Sequence, residues 1–83
     1  MSEVTLLTPP HNYAVVQLPE RQFPGVVFQG DSLNSLIGEI EEAIAESDPQ
    51  ERAEAFGYII AQLHSIRSGY EAALQTAGIK LPY

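Results

Sequence analysis

Phe23-Pro24-Gly25-Val26-Val27-Phe28-Gln29-Gly30-Asp31-Ser32-Leu33 is the stretch that decides the fold. A short apolar strand stops at a glycine, an Asp-Ser pair follows, and an amphipathic helix begins. Hinge-like glycines, Gly25 and Gly30, bracket the strand. The join makes the architecture a small β-hairpin feeding a helix. No catalytic signature accompanies it.

Working upstream, Val4-Thr5-Leu6-Leu7 reads as a short strand and Thr8-Pro9-Pro10-His11-Asn12 as a loop, because prolines remove donors and resist helix. Tyr13-Ala14-Val15-Val16-Gln17-Leu18 is rich in β-formers. Alternation puts Ala14, Val16 and Leu18 on one face and Tyr13, Val15 and Gln17 on the other. The expectation is that helices cover the first face and leave Tyr13 and Val15 showing. Pro19 to Gly25 is a proline-bounded loop, and Val26 to Gln29 is the returning strand.

Downstream, the first helix is expected to start at an Asp31-Ser32 cap and to end near Ser47. Leu33, Leu36, Ile37, Ile40 and Ile44 form one apolar stripe, with Glu39, Glu41, Glu42 and Glu46 away from it. The second helix has the clearest start. Asp48 is its N-cap, Pro49 its first residue, and Glu51 completes an Asp-x-x-Glu capping box. Gly78 supplies a left-handed stop, with Ile79 folding back on Leu74. The interval is about 43 Å long as a straight helix. Phe56, Ile59, Leu63, Ile66, Tyr70, Ala73 and Ala77 follow a 3-4 heptad seam. Gly69 marks a potential kink. The apolar tail Lys80-Leu81-Pro82-Tyr83 is expected to pack back. The organisation is one domain: residues 1–30 a β-hairpin region, 31–47 helix one, 48–78 helix two and 79–83 a tail. The fold class is α+β, a two- or three-stranded antiparallel sheet packed on a helical hairpin with a long C-terminal helix.

Bulk properties exclude several function classes. A chain of 83 residues buries only about 60% of its unfolded surface, so its core is marginal. Without cysteine it has no disulfide and no thiolate metal site. A net charge of −7 argues against duplex nucleic acid and suits solubility or a basic partner. No apolar run approaches a membrane span, and no signal peptide is visible, so a cytoplasmic location is expected.

Candidate site residues are few. Arg67 falls inside the apolar arc of the second helix, flanked by His64 and Glu71. A buried guanidinium needs a carboxylate, a partner chain or a ligand anion. The plain alternative is an Arg67–Glu71 pair one turn apart. His11 and His64 are too few and too distant for a metal site, and His64-Ser65 point apart on a helix. No cofactor is expected. Arg21 and Phe23 sit in the proline-bounded loop, a stiff connector or a recognition loop. Tyr13, Tyr70 and Tyr58 suit an interaction surface, with Tyr58 facing away from the seam.

The quoted join, followed by Ile37 to Ala43, resembles the strand-glycine-helix segment of HicB-type antitoxins. The likeness covers about a quarter of the chain. The second half departs from that family, with a long helix in place of its closing strand and DNA-binding tail. Over its whole length the chain is similar to a small uncharacterised bacterial family, on Asn12-Tyr13-Ala14-Val15-Val16, Phe23-Pro24-Gly25-Val26-Val27, Gly30-Asp31-Ser32-Leu33 and a terminal Leu81-Pro82-Tyr83. That resemblance implies a shared scaffold and no activity.

The expected function is therefore non-enzymatic: neutralisation of a target by stoichiometric capture, of the antitoxin, immunity or phage counter-defence kind. Two alternatives stand beside it. One is a sponge for a cyclic nucleotide signal, in a homo-oligomeric pocket where arginine meets phosphate and tyrosine stacks on bases. The other is a structural coiled-coil assembly module. A homo-oligomer with helix two at the interface is expected in each case.

Overall fold

The computed structural model describes residues 3–8 and 13–83. The loop residues Pro9 to Asn12, and with them His11, lie outside the described residues. Three strands, β1 (Thr5–Leu6), β2 (Tyr13–Gln17) and β3 (Gly25–Phe28), precede two helices, α1 (Gly30–Ala45) and α2 (Pro49–Ala77). The strands form one antiparallel sheet in the order β1-β2-β3. The fold is the expected α+β arrangement, with three strands rather than two.

The sheet is short and its turns are pinned by side chains. Thr8 Oγ1 accepts from the Val15 N–H at 3.0 Å, just beyond the β1–β2 ladder. Between β2 and β3, Pro19 and Glu20 occupy the middle of a turn closed by Arg21 N–H to Leu18 O at 3.4 Å. Glu20 has φ 64°, the left-handed conformation that the third residue of a type II turn requires. The Gln17 amide donates to both Leu18 O and Arg21 O, at 3.1 and 2.7 Å. These bonds brace the first half of the proline-bounded loop.

Which face of the sheet meets the helices is the reverse of the sequence expectation. Val15 is fully buried in one cluster with Tyr70, Ala73 and Leu74 of α2, and Tyr13 and Val26 pack against that cluster. Tyr13 and Val15 therefore face the helix. Leu6, Leu18 and Val27 are exposed on or beside the other face, although Val16 there is buried. Both faces of β2 are apolar, so alternation alone could not choose between them. Packing on α2 chooses, because Val15 is buried against Tyr70, Ala73 and Leu74.

The helix ends follow local chemistry, with small corrections. α1 begins at Gly30 behind Gln29, one residue before the expected cap, and no side chain caps it. Asp31 lies in the first turn, where its carboxylate accepts from Ser32 N–H at 2.9 Å and favours the positive end of the helix dipole. α1 ends at Ala45, short of Ser47. Asp48 is the N-cap of α2 and accepts from Gln50 N–H at 3.0 Å. The reciprocal bond of a capping box comes from Glu46 instead of Glu51, since Glu46 Oε1 accepts from Asp48 N–H at 3.1 Å. Arg52 reaches back to Glu46 O at 3.2 Å and covers a carbonyl at the end of α1. At the far end Gly78 has φ 72°, and Ile79 N–H bonds Leu74 O at 2.9 Å, the backbone pattern of a Schellman stop. Ile79 and Leu81 pack on the core cluster, so the tail folds back as expected.

The heptad seam of α2 is realised in its middle: Ile59, Tyr70 and Ala73 are buried, and Leu63 and Ile66 are half-buried. Phe56 and Ala77 at its two ends remain exposed. The helix runs from Pro49 to Ala77 as one element, so Gly69 does not end it.

Replacing Asp48 by alanine removes the one side-chain cap of α2 while leaving Glu46 and Arg52 in place. The expected loss is about 1 kcal/mol, read as a lower denaturation midpoint with unchanged helical content.

Candidate functional site

The helical hairpin and the end of the sheet border an open hollow of about 590 Å³. Tyr13 and Phe28 close it at the sheet. Ser32, Ser35, Leu36 and Glu39 line it from α1, and Gln62, Leu63, Ser65 and Ile66 from α2. Its walls are mixed, with hydroxyls and one carboxylate set among aliphatic side chains. The Gln62 amide donates to Glu39 Oε2 at 3.1 Å and ties the two helices together. A smaller hollow of about 290 Å³ continues toward the α1–α2 turn, lined by Glu39, Glu42, Ala43, Glu46, Glu51, Ala55, Tyr58 and Ile59. Glu39 belongs to both, so the two hollows adjoin, and together they are the trough along the hairpin.

Glu39 corrects the sequence reading, which placed it away from the packed side of α1. It is half-buried between the helices, whereas Leu33, Ile37 and Ile44 of the expected core stripe are exposed. α1 meets α2 mainly along Leu36, Glu39 and Ala43, and Ala43 is its one buried residue.

The expected site residues are dispersed. Tyr13 and Tyr58 line opposite ends of the trough. Tyr70 is buried, and its hydroxyl donates to Pro24 O at 2.8 Å, so it holds loop to helix and offers nothing to a ligand. Arg67 is exposed rather than enclosed in an apolar arc. It pairs with His64 Nδ1 at 3.0 Å and not with Glu71. The Glu71 carboxylate instead accepts from the Tyr83 hydroxyl at 2.9 Å. Partial desolvation of that phenol, and then the neighbouring Glu71, raise the Tyr83 pKa above its ordinary value of 10.0. Arg21 and Phe23 are exposed in the β2–β3 loop. Sequence reasoning missed Ser32, Ser35, Gln62 and Ser65. Their one signal is spacing, since each sits beside a seam residue on the trough side.

The family model for DUF6959, a family of unknown function, matches residues 1–83. The chain belongs to that family. No curated protein and no solved structure matches it. Membership in DUF6959 therefore agrees with the expectation of a small uncharacterised family and assigns no chemistry. Among the described residues, no group of three or more His, Cys, Asp or Glu is arranged to hold a metal ion. No helix there is long and apolar enough to cross a membrane.

Tyr13 reaches the trough by crossing α2 at Gly69. A Cβ at Gly69 would collide with the Tyr13 hydroxyl, while the ring carbon behind it stands at 3.4 Å, an ordinary contact. The glycine thus serves a close approach. Gly69→Ala is expected to destabilise the native chain, but in a Tyr13→Phe background to be neutral or stabilising by up to about 1 kcal/mol, the helix propensity difference. Chemical denaturation of the four variants measures the coupling, and additive effects would contradict this placement.

Proposed function

We propose that the chain is a non-enzymatic binding protein that captures a basic, partly apolar segment of a protein target in the trough along its hairpin. The observation that carries this reading is that the two hollows adjoin at Glu39. Carboxylates of Glu39, Glu42, Glu46 and Glu51 line a path whose walls also hold Leu36, Leu63, Ile66 and Ile59. Such a surface matches a lysine- or arginine-bearing segment with an apolar side, and the net charge of −7 draws such a partner in. The lining residues of the larger hollow include three serines but no histidine, lysine or cysteine to activate them. Capture of a target without turnover is the reading that this lining supports. The likeness of the strand-turn-helix segment to HicB-type antitoxins supports neutralisation as the outcome, and a bacterial or phage setting with it. A nucleotide sponge has less support, because Arg67 and His64 lie outside the trough and bond to each other.

Fluorescence anisotropy with a labelled amphipathic peptide bearing a lysine face tests the reading, with a glutamate-faced peptide and a cyclic dinucleotide as comparisons. Only the lysine peptide is expected to bind, and salt is expected to weaken it. Exchanging Glu39 and Glu42 for glutamine keeps the Gln62 contact and is expected to lower affinity about three- to tenfold. Equal binding of the acidic peptide, or preference for the nucleotide, would overturn the proposal.

A further inference from the structure

We propose that the side of the helical hairpin opposite the trough is the interface between two copies of this chain, which pair as a four-helix bundle. The inference stands independently of what the trough binds. Leu33, Ile37, Ile40 and Ile44 recur at spacings of four, three and four residues, the spacing of a coiled-coil seam. Among the described residues most of this line lies open, with Ile40 half-buried. Leu33, Ile37 and Ile44 are 46, 47 and 65% exposed, and α1 turns Leu36, Glu39 and Ala43 to α2 instead. On α2, Phe56 and Ile60 are 39 and 51% exposed.

These side chains share one surface. Counting about 100° per residue, the α1 line lies roughly 100° around the helix from the residues that meet α2. Phe56 and Ile60 lie roughly 90° in the same rotational sense from Ile59 and Ile66. The helices are antiparallel, so equal rotations bring both lines to the same side of the hairpin. The described structure therefore leaves one face of two adjacent helices apolar.

Charge selects a second copy over a basic partner. Glu39, Glu42 and Glu46 lie at least roughly 130° around α1 from this face. Glu41 flanks the apolar line, and Arg67 ends it on α2. A cationic target would find no ring of carboxylates there, whereas two copies of a chain with net charge −7 can approach through this face with their trough acids turned outward. The area sets the strength. A helix of 16 residues beside its neighbour offers a footprint of about 500 Å² per copy, or about 1,000 Å² in all. That is the lower bound for a specific interface and far below an obligate one, so the dimer is expected to exchange with monomer in the micromolar range. Both helices contribute, the first beside the second helix that was expected at the interface.

Sedimentation equilibrium across the micromolar range tests the proposal. The native chain is expected to pass from monomer to dimer, and added salt to tighten the dimer by screening its like charges. Ile37→Glu and Ile44→Glu alter exposed positions, so each is expected to keep the helical spectrum and remain monomeric at the highest concentration. Val27→Glu, half-exposed on the outer face of the sheet, is the control and is expected to dimerise normally. A native chain that stays monomeric throughout would overturn the proposal, as would a dimer broken by Val27→Glu and unaffected by both helix variants.

Discussion

The hydrogen bond from the Tyr70 hydroxyl to the Pro24 carbonyl, buried and 2.8 Å long, joins the two halves of this small fold. Forty-six positions separate its partners. Pro24 is buried and stands immediately before β3, so its carbonyl needs a donor from elsewhere in the chain. Tyr70 supplies it from the middle of the last turns of α2, while its ring packs on Val15 and Leu74. Sheet, long helix and folded-back tail all meet at this point. The core is small enough that a loss here is felt by every element.

That joint explains the uneven build of the molecule. The C-terminal part of α2 is covered by the sheet, Ile79 and Leu81, and holds Tyr70, Ala73 and Leu74 in the cluster with Val15. Among the described residues its N-terminal part is covered by α1, across Ala43 and Ile59 and the Glu39–Gln62 bond. A helix about 43 Å long cannot be enclosed by three short strands and one helix. The surplus surface divides by character, with a mixed hollow and a smaller acidic one on one side of the hairpin and aliphatic side chains on the other. Both proposed interactions arise from that division, one electrostatic and one apolar.

Much of the fold was legible where local chemistry decides it. Asp48-Pro49 and Gly78 mark the ends of α2 because caps depend on neighbouring backbone groups and little else. The α2 seam was legible because it is periodic. The sheet faces were not, since Ala14 and Val16 are as apolar as Tyr13 and Val15, and only the packing of Val15 with Tyr70 and Leu74 tells them apart. α1 misled for a similar reason. Its strongest apolar line, Leu33 to Ile44, does not face its neighbour within the chain, and Glu39 does. The site was legible in part. Tyr13 and Tyr58 were identifiable as amphipathic aromatics, whereas Gln62 and the serines carry no signal until the helices are set side by side. Arg67 drew attention by its place on the wheel, yet its guanidinium reaches out to His64.

The most direct test of this account is the stability of Tyr70→Phe, which keeps the ring in the core and removes only the hydroxyl. Because the buried Pro24 carbonyl is then left without its donor, the account predicts a loss of about 1–3 kcal/mol in chemical denaturation, with the folded spectrum preserved. An unchanged midpoint would contradict it, and would show that the sheet and the long helix are held together by apolar contact alone.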